Sequence, residues 1–141
     1  MTSKFSSTVL SFMLAVPNTP SAIEWYIKAF NAKVLWDLGS VAGLEIENAP
    51  FFIHEPVNNS FSSPIKLGTT TVRLELFVDN PDEIIARAIE AGANGSLEDI
   101  QDYQVPWGIH RQGGFSDPFG HRWLVGDKSP LNAFRLNSTA S

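Results

Sequence analysis

The clearest pattern in this sequence is the strict alternation of apolar and other side chains along TTTVRLELFVDN. Alternate positions of an extended strand point to opposite faces, which here hold Val72, Leu74, Leu76 and Val78 on one side and Arg73, Glu75 and Phe77 on the other. An earlier segment has the same pattern, with Phe12, Leu14 and Val16 opposite Ser11, Met13 and Ala15. Both segments predict strands with one fully apolar face and one mixed face.

Each of these strands opens a longer repeat. Both LAVPNTPSAIEWYIKAFNA and LFVDNPDEIIARAIEAGA run from an apolar strand through Asn and Pro into an amphipathic helix. The helices are predicted to end at Asn31 and Gly92, because these residue types best tolerate the left-handed position after a helix. Three short strands are predicted after each helix: 33–38, 41–46 and 50–54, then 97–105, 110–116 and 121–127. The sequence therefore predicts an α+β fold of two tandem βαβββ modules.

These elements predict a single domain over residues 8–128, made of modules 8–54 and 71–128. Residues 55–70, rich in Pro, Ser and Asn, are predicted to form a linker or lid loop. The tail, residues 129–141, is predicted to be flexible. The helices are expected to cover the apolar strand faces, and the mixed faces then line either solvent or a ligand cavity.

Composition narrows the functional classes. The chain has 141 residues, a net charge of −5 and no cysteine. The acidic balance, without a basic patch, argues against nucleic acid as a partner. The lack of cysteine removes disulfides and thiolate chemistry, and it fits a cytoplasmic location. Lys4 and the apolar run 9–16 resemble a signal peptide, but the run is short and recurs later as a strand. No apolar run approaches the roughly 20 residues of a membrane span.

Three segments carry a family resemblance. SAIEWYIKAFNAKV, VDNPDEIIARAIEAGA and WGIHRQGGFSDPFGHRW resemble signatures of the glyoxalase/bleomycin-resistance/extradiol-dioxygenase group, the vicinal oxygen chelate superfamily, in its phosphonate-operon-like branch. The resemblance covers about residues 9–127. It implies paired βαβββ modules whose curled mixed sheets enclose a cavity, usually completed in a homodimer.

The metal chemistry of that superfamily does not transfer directly. Its metal-dependent members place His or Glu on the cavity faces of the first, fourth, fifth and eighth strands. Those positions correspond here to Ser11, His54, Arg73 and Leu124. One histidine does not hold a catalytic metal, and a nearby arginine repels a cation, so we predict no metal and no other cofactor. A displaced site formed by His54, Glu75 and His110 is the alternative.

Two functions from different classes follow. The first is the binding of a small aromatic or anionic molecule, with sequestration or resistance as the role. The candidate binding residues are Ser11, Met13, Phe52, Phe77, Trp107, His110, Arg122 and Leu124. The second is metal-free lyase or isomerase chemistry, in which Glu75 or His54 is the general base and Arg73 stabilises a developing anion. Metal-dependent catalysis at the displaced site is the third.

The segment GGFSDPFGHRW looks most like an active site but has a structural interpretation. Asp117, Pro118 and Gly120 occupy the first, second and fourth positions preferred in a type I turn. Alternation places His121 on the helix-facing side of the following strand, together with Trp123. We therefore expect His121 to be a buried structural residue.

Overall fold

The computed structural model describes residues 8–56 and 61–132, and each half of the chain forms one four-stranded mixed sheet with one long helix. The first half comprises β1 (Met13–Ala15), α1 (Thr19–Phe30), β2 (Lys33–Asp37), β3 (Val41–Ile46) and β4 (Ala49–His54). A short helix, α2 (Pro64–Leu67), lies between the halves. The second half comprises β5 (Arg73–Phe77), α3 (Pro81–Glu90), β6 (Gln101–Val105), β7 (Gly108–Ser116) and β8 (Arg122–Gly126).

The two sheets have the same topology. Their strand orders are β1-β4-β3-β2 and β5-β8-β7-β6. In each sheet the first strand pairs in parallel with the fourth, and the other pairs are antiparallel. The predicted tandem βαβββ fold is therefore confirmed.

Local signals in the sequence set the helix boundaries. The side chain of Asn18 accepts a hydrogen bond from the Ser21 amide (2.9 Å) and caps α1, and Asn80 caps α3 in the same way. Helix α1 ends at Asn31 in the left-handed conformation (φ 56°), and Gly92 after α3 has φ +111°. Both predicted helix ends are confirmed.

The helices cover the apolar faces of both sheets, as predicted, and join them in one core. Phe30 of α1 contacts the rings of Phe115 and Trp123 in the second sheet, with centroids 5.9 and 4.7 Å apart. Trp123 also contacts Phe51 in the first sheet (6.1 Å). The two modules are therefore stabilised by shared aromatic packing.

The structure differs from the prediction at one strand end and adds two details. Phe12 and Val72, which directly precede β1 and β5, are 44% and 52% exposed. The segment predicted as one strand from Leu97 begins as a 3-10 turn, Leu97–Asp99, which Ser96 caps through the amide of Glu98 (3.2 Å). The linker contains α2, while its residues 57–60 lie outside the described residues.

The DPFG segment forms the predicted turn, and the side chain of its aspartate, Asp117, is hydrogen-bonded to several surrounding groups. The Gly120 amide donates to the Asp117 carbonyl (3.0 Å). The Asp117 carboxylate accepts four hydrogen bonds of 2.6–3.0 Å: from the Tyr26 hydroxyl, the Trp123 indole and the amides of Phe119 and His121. Burial, together with the Asp117 charge, raises the pKa of Tyr26 well above its usual value, so its phenol stays protonated and donates.

His121 is a structural residue, as expected. It is buried, and its Nε2 donates to the carbonyl oxygen of Ala15 (2.8 Å), which ties the turn to β1.

The remaining predictions concern the chain ends. Residues 129–132 form a helical turn after β8. The rest of the predicted tail, 133–141, and Lys4 lie outside the described residues. Within the described ranges, no helix is long and apolar enough to cross a membrane.

Candidate functional site

The outward face of the first sheet, opposite the helices, carries an apolar surface. Met13, Phe52 and Gly43 lie opposite one another on β1, β4 and β3, and Trp36 on β2 pairs with Gly43. The indole of Trp36 covers Gly43 so closely that a Cβ there would lie 2.7 Å from it. The ring centroids of Trp36 and Phe52 are 5.9 Å apart. We call Met13, Trp36, Gly43 and Phe52 the aromatic shelf.

Two other predicted site residues of this sheet are engaged by the backbone. The Ser11 hydroxyl donates to the carbonyl of Pro50. Nδ1 of His54 is in hydrogen-bond contact with the carbonyl oxygen of Glu55, and the His54 ring meets Phe61 edge-on at 6.1 Å between centroids. Ser11 thus holds β1 against β4, and His54 lies where the linker begins.

The outward face of the second sheet brings two arginines together. Arg73 on β5 lies directly opposite Arg122 on β8, and the next outward pair is Glu75 with Leu124. Neither guanidinium has an ion pair or hydrogen bond within the described part of the chain, and Glu75 forms none with Arg73. The parallel register therefore creates a doubly positive position on a chain whose net charge is −5.

A glycine in β7 makes room for the side chains of Arg122 and Leu124. A Cβ at Gly114 would lie 3.0 Å from both Nη2 of Arg122 and Cδ2 of Leu124, so both side chains extend across the bare backbone. Residues from the linker and the DPFG turn complete an open cleft of about 610 Å³ around the arginines, and we call it the arginine cleft. Its polar lining also includes Thr69, Thr70, Asn94 and Ser116.

Arg122 also belongs to a second hollow on the same face. This hollow has a volume of about 270 Å³, and its lining includes Tyr103, Gln112 and Leu124. The guanidinium of Arg122 therefore stands between the arginine cleft and the open sheet face.

His110 is oriented by an acid at the far end of this face. Its Nδ1 lies 2.8 Å from Asp127 Oδ1 and 3.2 Å from Ser129 Oγ. Burial raises the pKa of Asp127, but hydrogen bonds from the Arg111 amide, Ser129 and His110 outweigh it and hold this pKa well below its usual range. A charged Asp127 favours a proton on Nδ1 of His110. The ring packs against Gly126, where a Cβ would lie 2.7 Å from it.

The three residues of the alternative metal site lie on three different strands, β4, β5 and β7. His54 belongs to the first sheet, Glu75 to the second, and His110 is held by Asp127. Over residues 8–56 and 61–132 of the single chain, no group of three or more His, Asp or Glu side chains is placed to hold a metal ion.

The last two predicted residues flank these features. Phe77 lies opposite Gly126 on the outward face. Trp107 lies in the β6–β7 turn, and its indole donates to Ser129 Oγ (3.0 Å). Sequence reasoning missed Gly43 and Gly114, although a glycine inside a predicted strand signals close approach of another group.

No family model matches the chain. The uncharacterized protein Mb0911c of Mycobacterium bovis is 36% identical over 132 residues, covering 83% of this chain and 81% of the relative. The uncharacterized protein Rv0887c of Mycobacterium tuberculosis is also 36% identical, with 83% and 72% covered.

Solved structures are similar in fold at low sequence identity. TioX from Micromonospora sp. ML1 has a TM-score of 0.63 at 21% identity, covering 85% of this chain and 95% of that one. A glyoxalase/bleomycin resistance protein from Albidiferax ferrireducens has a TM-score of 0.65 at 16% identity, with 84% and 98% covered. The fosfomycin resistance protein FosX from Listeria monocytogenes, in complex with Mn(II), has a TM-score of 0.65 at 16% identity, with 92% and 99% covered.

Proposed function

This chain belongs to the same family as the two mycobacterial proteins and has the fold of the vicinal oxygen chelate superfamily, and from that premise we propose that it binds a small aromatic anion. The ligand lies on the outward faces of the sheets and needs no metal. Sequestration of such a molecule is the proposed role.

The observation that carries this proposal is the pairing of Arg73 with Arg122. Both arginines line the arginine cleft, and an anion bound there accepts hydrogen bonds from guanidinium groups that have no partner among the described residues. The planar guanidinium fork matches a carboxylate or a phosphonate group. Asp117, the one acidic residue among the described residues that line the arginine cleft, accepts four hydrogen bonds from other groups and forms no ion pair with either arginine.

Apolar surface on both sheets supports the aromatic part of the ligand. Met13 and Trp36 of the aromatic shelf are 49% and 39% exposed, and Leu124 lies beside Arg122. Exposed apolar patches of this kind mark ligand or protein interfaces. We propose that a second copy of the chain covers these faces and completes the cavity as a homodimer.

The residues at the superfamily's metal positions do not fit a metal ion. The Ser11 hydroxyl already donates a hydrogen bond to the Pro50 carbonyl. Arg73 lies opposite a second positively charged residue, Arg122, and Leu124 is apolar. Only His54 retains a suitable donor. The chemistry of this donor set favours an anion over a cation at the same place.

Metal-free catalysis is the second candidate, because Glu75 lies on the same outward face as Arg73, two residues away. In that case Glu75 accepts a proton from a ligand whose developing negative charge Arg73 stabilises. His54, the other candidate base, lies on the other sheet.

The binding test uses a matched pair of probes, 1-naphthoate and the neutral 1-naphthamide, titrated by calorimetry. We expect naphthoate to bind and naphthamide to bind at least tenfold more weakly. Arg73→Gln and Arg122→Gln should each weaken naphthoate binding by about 10- to 100-fold, as hydrogen bonds to charged groups contribute roughly 1.5–3 kcal/mol. The charge-matched control Lys28→Gln, on an exposed helix position, should change it less than about twofold, by the same reasoning. Equal binding of both probes contradicts the proposal.

Three further measurements separate the competing functions. If a ligand found by a thermal-shift screen of aromatic acids and 2-oxo acids is turned over, and Glu75→Gln stops turnover while binding persists, the protein is an enzyme. Stoichiometric divalent metal in the purified protein, with binding at the outward faces, contradicts the metal-free proposal. Sedimentation velocity at micromolar concentration should show a dimer, and a monomer contradicts the completed cavity.

We also propose a cytoplasmic location, which rests on the absence of cysteine from the sequence. Cell fractionation with an antibody against the chain tests it, and recovery in the secreted fraction contradicts it.

A further inference from the structure

The imidazole of His110 is held in one orientation with its proton on a defined nitrogen. Its Nδ1 lies 2.8 Å from Asp127 Oδ1, and a charged carboxylate only accepts hydrogen bonds, so Nδ1 carries the proton. Asp127 is itself fixed, because its two oxygens accept hydrogen bonds from the amides of Ser129 (3.0 Å) and Arg111 (2.9 Å). In the neutral ring Nε2 is then left as an acceptor.

Nε2 of His110 is an accessible acceptor without a partner. His110 is only 7% exposed, and Nε2 forms no hydrogen bond with any residue in the described ranges. Within those ranges the Ser62 hydroxyl oxygen is the one buried side-chain polar atom that lacks a partner, so Nε2 of His110 is open to solvent. His110 thus presents this nitrogen, and little else, to a bound molecule.

Gly126 shows where Nε2 lies. A Cβ at Gly126 would be 2.7 Å from Cε1 and 3.0 Å from Nε2 of His110. Gly126 is paired with Phe77 on one side and with Gln112 on the other, and these residues belong to the outward face of the second sheet. Nε2 therefore lies over the outward face, which also carries Arg122.

His110 and Arg122 reach neighbouring points of this face. Nη2 of Arg122 is 3.0 Å from the Cβ position of Gly114, and Nε2 of His110 is 3.0 Å from that of Gly126. Gly114 pairs with Leu124, so it is a diagonal neighbour of Gly126, and such positions are roughly 7–8 Å apart. An aromatic ring with polar groups at its opposite ends spans a gap of this size.

From this arrangement we propose that His110 is a second anchor for the bound anion, and that the ligand is an aromatic acid with a hydroxyl group opposite its acidic group. The inference rests on the proposed function, because Arg122 holds the acidic group while Nε2 of His110 accepts a hydrogen bond from the hydroxyl. Asp127 is a positioning residue that keeps the proton of His110 on Nδ1. The arginines select for negative charge, and His110 selects for a donor.

Calorimetry with 4-hydroxybenzoate and 4-methylbenzoate tests this proposal on the whole protein. The probes have nearly the same shape, and 4-hydroxybenzoate should bind about 5- to 10-fold more tightly, as expected for one added hydrogen bond. In nitrogen-15 NMR spectra it should also shift the Nε2 signal of His110, which 4-methylbenzoate should leave in place. Equal affinities, or an unshifted Nε2 signal, overturn this inference and leave the anion site intact. If neither acid binds, the proposed function fails as well.

Variants assign the hydrogen bond to His110. His110→Phe should remove the preference for 4-hydroxybenzoate, while Gln104→Leu, at an exposed position on the opposite face of β6, should keep it. Asp127→Asn should weaken the preference, and two-bond proton–nitrogen spectra should show the proton of His110 shared between its two nitrogens. A preference that survives in His110→Phe overturns the proposal, and an unchanged proton position in Asp127→Asn overturns the role of Asp127.

Discussion

The contact between the linker and the DPFG turn is tested by replacing Gly120 with alanine. Gly120 has φ +90°, and Gly39, in an exposed turn, has nearly the same value, φ +93°. A residue with a Cβ costs about 1–2 kcal/mol in this left-handed region. At Gly39 a Cβ meets nothing within 4 Å, so Gly39→Ala should lower the free energy of unfolding by that backbone cost alone.

At Gly120 a packing cost is added. The new Cβ would lie 2.5 Å from the Ile65 amide nitrogen and 2.9 Å from the Pro64 carbonyl carbon, both of them backbone atoms of the linker. Relieving such a contact costs about 1–3 kcal/mol. Gly120→Ala should therefore lower the free energy of unfolding by about 2–5 kcal/mol.

Urea unfolding followed by tryptophan fluorescence measures both variants. Their m-values should match that of the parent protein, so that the change in midpoint reports stability alone. The amide of Ile65, which donates to the Phe119 carbonyl at 3.0 Å, should also exchange faster with solvent in Gly120→Ala only. Equal losses of stability in the two variants, or unchanged exchange at Ile65, would refute the docking of the linker on the turn.

Three other variants test the buried Asp117, the Asp127 carboxylate beside His110, and the aromatic shelf. Asp117→Asn keeps the shape but offers fewer acceptors to its four donors, so the free energy of unfolding should fall by about 2–4 kcal/mol in urea. The fold lowers the pKa of Asp127, so its stabilisation is present above the unfolded value of about 3.9 and is lost as the pH falls below it. Asp127→Asn should accordingly be less stable than the parent protein at pH 7, with a lower urea midpoint. If the midpoints of the two proteins differ by the same amount at about pH 7 and about pH 2, the lowered pKa of Asp127 is contradicted. Gly43→Ala should displace the Trp36 indole at a cost of about 1 kcal/mol, since a side-chain end moves more easily than backbone, and near-ultraviolet circular dichroism should change.

Local patterns explain why most of the fold could be predicted from the sequence. The alternation around Leu74 and the repeat that aligns Asn31 with Gly92 are properties of neighbouring residues, and strand faces and helix ends follow from them. The same local signals do not give the depth of burial, and Phe12 and Val72 are half-exposed at the starts of their strands.

The arrangement of the candidate site depends on register, which local patterns do not contain. Arg73 and Arg122 are far apart in sequence, and only the pairing of β5 with β8 makes them neighbours. The position of the linker could not be predicted either, because the docking of α2 against the turn depends on a tertiary contact at Gly120. The sequence could therefore identify Arg73 and Arg122 as candidates but not as a pair.

The most direct test of the proposed function is an NMR titration of the arginine side chains with 1-naphthoate, observing the Nε–Hε signals. The guanidinium of Arg111 is paired with Asp82 and Asp102 at 2.7 and 3.0 Å and serves as the internal control. We predict that the signals of Arg73 and Arg122 shift together along one binding curve while that of Arg111 stays in place. Signals of Arg73 and Arg122 that do not move while naphthoate binds would contradict the account.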